Sequence, residues 1–60
     1  MLIVTLRSKE DPELFNKVYN ATKVEAGYLP GKGGLHWIGE DDDSVIAKPV
    51  SGWRIETEIR

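Results

Sequence analysis

The sequence predicts a single small α+β domain over residues 1–60, with elements in the order β-α-β-β-β and one helix packed on a mainly antiparallel sheet. Three observations carry this. A β-branched run opens the chain at Leu2–Leu6. A helix-start signal, Asp11-Pro12-Glu13, precedes apolar residues at helical spacing. Three short apolar segments separated by turn residues fill the second half.

Leu2-Ile3-Val4-Thr5-Leu6 is apolar on both faces apart from Thr5, which predicts a strand covered on both sides. Arg7-Ser8-Lys9-Glu10 breaks it. Asp11 then offers a side-chain acceptor to first-turn N–H groups, Pro12 suits a position that needs no N–H, and Glu13 complements the dipole. Leu14, Phe15, Val18, Tyr19, Ala21 and Thr22 fall on one helical stripe, with Asn16, Lys17, Asn20 and Lys23 outside it. The helical period fails near residue 23. Beyond it, Val24, Ala26 and Tyr28 alternate with Lys23, Glu25 and Gly27, so an extended piece competes with a helix ending at Gly27.

Leu29-Pro30-Gly31 is a turn, extended by Lys32-Gly33-Gly34 into a glycine-rich loop. Leu35–Gly39 reads as a strand, Glu40–Ser44 as a turn, Val45–Lys48 as a strand and Pro49–Gly52 as a closing turn. From Trp53 the alternation is strict. Trp53, Ile55, Thr57 and Ile59 face one way, and Arg54, Glu56, Glu58 and Arg60 the other. The expected core is Leu2, Val4, Leu6, Leu14, Phe15, Val18, Trp37, Trp53, Ile55 and Ile59.

Composition excludes several classes. The chain has no cysteine, so it has no disulfide frame, thiolate metal site or cysteine nucleophile. No apolar run has the length of a membrane span. The opening segment lacks the basic flank and cleavage site of a secretory signal, so a cytoplasmic location is expected, and Asn20-Ala21-Thr22 reads as a chance sequon. Eight basic against ten acidic residues give a net charge of −2, without the basic excess of a general nucleic-acid binder. Folding a chain of this mass buries apolar surface contributing ~85 kcal/mol, against ~90 kcal/mol of ordering. Stability is marginal, and a homo-oligomer or a partner would help.

No constellation for catalysis can be placed, and the chain is read as a non-enzyme without cofactor or metal. The loop Pro30–Gly34 lacks the spacing, the Lys-Ser/Thr ending and the following helix of a P-loop. Glu40-Asp41-Asp42-Asp43 is consecutive, whereas calcium loops alternate their ligands. His36 is the one histidine and has no co-ligand or nucleophile assigned to it.

The expected function is non-catalytic protein binding. The chain would act as a small acidic accessory protein, bacterial or phage, that inhibits or modulates a larger host enzyme or complex by occupying its surface. The expected binding residues are Tyr28, Gly31, Lys32 and Gly33, as an anchor and its loop, with Glu40, Asp41, Asp42 and Asp43 as a steering patch. The alternative is a nucleic-acid module stacking bases on Trp37 or Trp53, with Arg54, Lys48 and Lys32 around them.

Overall fold

A computed structural model describes all 60 residues. The fold is all-β. Six strands run β1 Leu2–Ser8, β2 Phe15–Val18, β3 Lys23–Tyr28, β4 Leu35–Glu40, β5 Val45–Pro49 and β6 Trp53–Ile59. They form two three-stranded antiparallel sheets, ordered β2-β1-β6 and β3-β4-β5. The Cα envelope is 15 Å thick, the depth of two facing sheets about 10 Å apart.

Two continuous segments pass from one sheet to the other. The first begins as β2 beside β1 and ends as β3 beside β4. At its corner Ala21 N–H donates to Leu2 C=O (2.9 Å) and Thr22 N–H to Glu40 C=O (2.8 Å), while Asn20 takes a left-handed φ of 58°. The second begins as β5 beside β4 and ends as β6 beside β1. Its corner is tied by Val50 N–H to Leu35 C=O and Lys9 N–H to Gly52 C=O, both at 3.0 Å. Strands that switch sheets at such bends are the usual corner device of packed β-sheets.

The expected helix does not exist, and the α+β assignment is corrected to all-β. Asp11-Pro12-Glu13 makes a turn. Asp11 Oδ1 accepts Glu13 N–H (3.1 Å), and Asp11 C=O accepts Leu14 N–H (2.9 Å). Ser8 Oγ accepts Asp11 N–H (3.1 Å), and Ser8 N–H donates to Leu14 C=O (2.9 Å), so the turn closes the β1–β2 hairpin. A carboxylate accepting the N–H two residues on is the local bond of both an N-cap and an Asx turn. That bond does not distinguish the two. The extended reading of the segment after residue 23 is the one the chain adopts, as β3.

The core is centred on β1, the middle strand of its sheet. Ile3, Val4, Thr5 and Leu6 are all buried, as the two-faced apolar run predicts, with Val18 and Ile38. Three expected core residues lie outside it: Leu14 and Phe15 are exposed, and Ile59 is 85% exposed. Phe15 pairs with Arg7 in register and points, with Thr5 and Lys17, to the outer face of the β2-β1-β6 sheet. Phe15→Ala is therefore expected to shift the urea midpoint by less than about 1 kcal/mol of stability, where a buried phenylalanine would lose about 3–5. A loss in that higher range would place Phe15 in the core after all.

Candidate functional site

The pleat and register sort the β3-β4-β5 sheet into two faces. One face carries three cross-strand rows: Val24, Gly39 and Ile46; Ala26, Trp37 and Lys48; then Tyr28, Leu35 and Val50. A Cβ on Gly39 would lie 3.2 Å from Val4 Cγ1, so this is the face that meets the other sheet. In the first two rows Gly39 is buried and Val24, Ile46, Trp37 and Lys48 are half-buried, while Ala26 on the β3 edge is exposed. The third overhangs the other sheet: Tyr28 is 77% exposed and Leu35 is 39% exposed, with Val50 half-buried beside them.

The overhang ends in the glycine loop. Gly31 and Gly34 have φ of 76° and 85°, conformations that residues with a Cβ rarely adopt, and Lys32 N–H donates to Leu29 C=O at 3.2 Å. Neither Gly31 nor Gly33 has anything within 4 Å of where a Cβ would stand, so the loop surface is open. Lys9 Nζ donates to Val50 C=O at 3.4 Å and places a cation at the border of the apolar row. His36 is buried. Its ring Nδ1–H donates to Gly34 C=O (3.0 Å), which anchors the loop base and gives this histidine a structural role.

The acidic turn is at the other end of β4. The six residues of that strand hold it about 17 Å from the glycine loop. The two halves of the expected site are not one contact patch. Within the turn Asp41 is an acceptor hub. Its Oδ1 takes Asp43 N–H and Ser44 N–H (both 2.7 Å) and Ser44 Oγ–H (3.1 Å). The Asp43 and then the Ser44 N–H groups hold the Asp41 carboxyl below the usual carboxylate range. Asp42 and Asp43 are exposed. No cluster of His, Cys, Asp and Glu side chains is arranged to hold a metal ion.

The Asp41 geometry has a consequence in pH. A carboxyl whose folded pKa is depressed adds stability above its unfolded pKa and loses it as pH falls through the folded one. Asp41→Asn keeps the acceptor oxygen and removes the charge. The parent should unfold at higher urea than this variant at pH 7, with the difference shrinking from about pH 4 downward. Equal midpoints at pH 7 would show that the charge adds nothing to the turn.

Neither tryptophan is a free stacking platform. Both are half-buried. Trp37 Nε1–H donates to Trp53 C=O (3.0 Å), and Lys48 Nζ lies 4.8 Å from the Trp53 ring centroid. The pleat also turns Arg54 to the face opposite Trp53. The exposed aromatics of the β2-β1-β6 sheet are instead Phe15 and Tyr19, which the helical stripe concealed. Arg7 and Lys17 lie 4.9 Å and 5.6 Å from the Phe15 ring centroid. This outer face carries both signs. Arg7 Nε pairs with Glu56 at 3.0 Å. Arg60 Nε donates to Glu58 at 2.6 Å and holds that carboxyl below its ordinary range. Reading residues 15–19 at a period of two would have revealed Phe15, Lys17 and Tyr19 on one face.

No protein-family model, curated protein or solved structure matches this chain. No helix is long and apolar enough to cross a membrane.

Proposed function

We propose that the chain is a non-catalytic protein-binding module that seats the Tyr28–Leu35 overhang on a larger protein. The observation that carries this reading is the cross-strand pair of Tyr28 and Leu35, two large apolar side chains exposed side by side on the face whose central residue, Gly39, is buried against the other sheet. A large amphipathic side chain on a hydrogen-bonded hairpin, beside a loop set by left-handed glycines, suits an interface anchor that loses little entropy on binding. A partner held this way has part of its own surface occupied, which is the route to inhibiting or modulating a larger enzyme. Lys32 and the backbone of Gly31 and Gly33 would border the contact. Glu40, Asp41, Asp42 and Asp43 form a separate element. They lie about 17 Å away, beyond a Debye length of about 8 Å at physiological salt, and would steer encounter only at low ionic strength.

The test is capture from lysate with parent and Tyr28→Ala baits, before and after nuclease treatment. The expected result is a protein held by the parent, lost by the variant and indifferent to nuclease. Retention unchanged in Tyr28→Ala removes the overhang from the interface. Retention that nuclease abolishes transfers the reading to nucleic acid, with Phe15, Tyr19, Lys17 and Arg54 on the outer sheet face as its contact set. With a partner identified, Tyr28→Ala should raise the dissociation rate tenfold or more, as loss of an anchor worth about 1.4 kcal/mol or above requires. The triple exchange of Asp41, Asp42 and Asp43 for asparagine should lower the association rate at low salt and leave it unchanged at physiological salt. Equal low-salt association rates would remove the steering role.

A further inference from the structure

We propose that two copies of this chain associate through the free edge of β6, antiparallel, extending the β2-β1-β6 sheet into one six-stranded sheet across a twofold axis. Hydrogen-bond parity sets which backbone groups of β6 are free. Met1 and Arg60 exchange backbone bonds, and Lys9 N–H donates to Gly52 C=O. In an antiparallel pair such bonded positions alternate, so Arg54, Glu56, Glu58 and Arg60 direct their backbone groups at β1. Trp53, Ile55, Thr57 and Ile59 then direct theirs outward. The Trp53 carbonyl is taken by the Trp37 indole N–H. The outward N–H and C=O groups of Ile55, Thr57 and Ile59 bond no other strand.

An edge of this kind is a template for another strand, and proteins usually blunt it with proline, lysine, short length or cover. The other three edges are blunted. β2 has four residues with Lys17 among them and lies against β5. β5 ends in Lys48 and Pro49, and β3 contains Lys23 and Gly27. β6 has seven residues and contains no proline, glycine or lysine. Its end carries Ile59, the most exposed large apolar side chain in the molecule.

Charge and strand overlap together choose the partner and the register. The outward groups bond only when Ile55, Thr57 or Ile59 faces another member of that set. Placing Thr57 opposite the partner's Thr57 sets Arg54 against the partner's Arg60 and Glu56 against the partner's Glu58, so every charged pair is like with like. Moving one step, so that Ile55 faces the partner's Thr57, keeps all seven residues of both strands in overlap. Arg54 then faces the partner's Glu58, and the twofold axis repeats that pair. Ile59 comes beside the partner's Trp53, where the Trp37 bond ends the ladder. Glu56 meets the partner's Glu56 at the axis, and each is already neutralised by its own Arg7. In this register, the one that overlaps all seven residues, the strand is thus complementary to a second copy of itself, as an isologous interface requires. A single strand pair falls below the ~1,200 Å² of standard interfaces, so the dimer is weak and reversible.

Sedimentation equilibrium of the full chain from about 10 μM to about 1 mM spans the range in which such a dimer forms. The expected result is a concentration-dependent monomer–dimer equilibrium. Thr57→Pro removes an outward N–H and no bond to β1, and should weaken dimerisation at least tenfold. Arg54→Glu and Glu58→Arg should each weaken it similarly. Mixed in equal amounts, these two variants should associate with each other, because both cross-strand pairs again join opposite charges. Circular dichroism establishes that each variant is folded, and the exposed charge variants serve if Thr57→Pro is not. A monomer throughout the range overturns the proposal. So does a dimer that both charge variants leave intact, and so does a mixture that stays monomeric.

Discussion

Leu6→Ala is expected to abolish most of the stability of this domain. Leu6 is fully buried in the middle strand β1, between Asn16 of β2 and Ile55 of β6 in register, and faces the second sheet. Truncating a buried leucine to its β carbon costs about 2–5 kcal/mol, the upper values where the site cannot collapse. At ~0.05–0.15 kcal/mol per residue, a chain of this length has a total stability in the same range. Urea unfolding followed by tryptophan fluorescence should show a midpoint near zero denaturant or no cooperative transition. Trp37 and Trp53 lie between the sheets and report their separation. A midpoint close to the parent's would mean that Leu6 does not organise the core.

Gly39→Val is the second large effect, and it acts by excess volume. A Cβ at this position would stand 3.2 Å from Val4 Cγ1 and 3.5 Å from Ile46 Cγ1. Val4 is itself fully buried and part of the central strand, so it has nowhere to move. Gly39 has no left-handed φ to preserve, and valine suits a strand, so only the approach of the two sheets opposes the change. Overpacking of this kind costs about 1–3 kcal/mol. Combining Gly39→Val with Val4→Ala should recover part of the loss, because the two side chains compete for one space. Additive losses in the double variant would show that the strain lies elsewhere.

These two residues differ in how far the sequence revealed them. Leu6 belongs to a run apolar on both faces, and the run alone calls for a strand covered on both sides. Gly39 is silent in the sequence, where it ends an apolar segment beside a turn. Its meaning depends on Val4, 35 residues away. The candidate site divides in the same way. Tyr28 could be singled out beside a glycine loop, and Glu40–Asp43 by charge. The row that Tyr28 forms with Leu35 and Val50 required the register, and so did the separation of the loop from the acidic turn by the length of β4.

The segment from Asp11 to Thr22 shows why local signals fell short. Leu14, Phe15, Val18 and Tyr19 satisfy a helical stripe, yet Phe15 and Tyr19 also share one face of a strand and Val18 takes the other. Four residues are too few to separate the periods. The structure decides by a nonlocal need. β1 has two edges, and with β6 on one of them its remaining backbone groups require a partner strand that a helix cannot supply.

The sequence by itself determined the apolar run of β1, the alternation of β6, the turns at residues 30–34 and 41–44, and the absence of thiol chemistry. Each of these is set by neighbours along the chain. Tertiary structure alone decided that residues 15–18 are extended and that Phe15 and Ile59 stand outside the core. It also decided that two bent segments join two sheets, and that β6 keeps an open edge. These depend on which backbone groups find partners across the fold, and hydrogen bonds between strands are made by residues tens of positions apart.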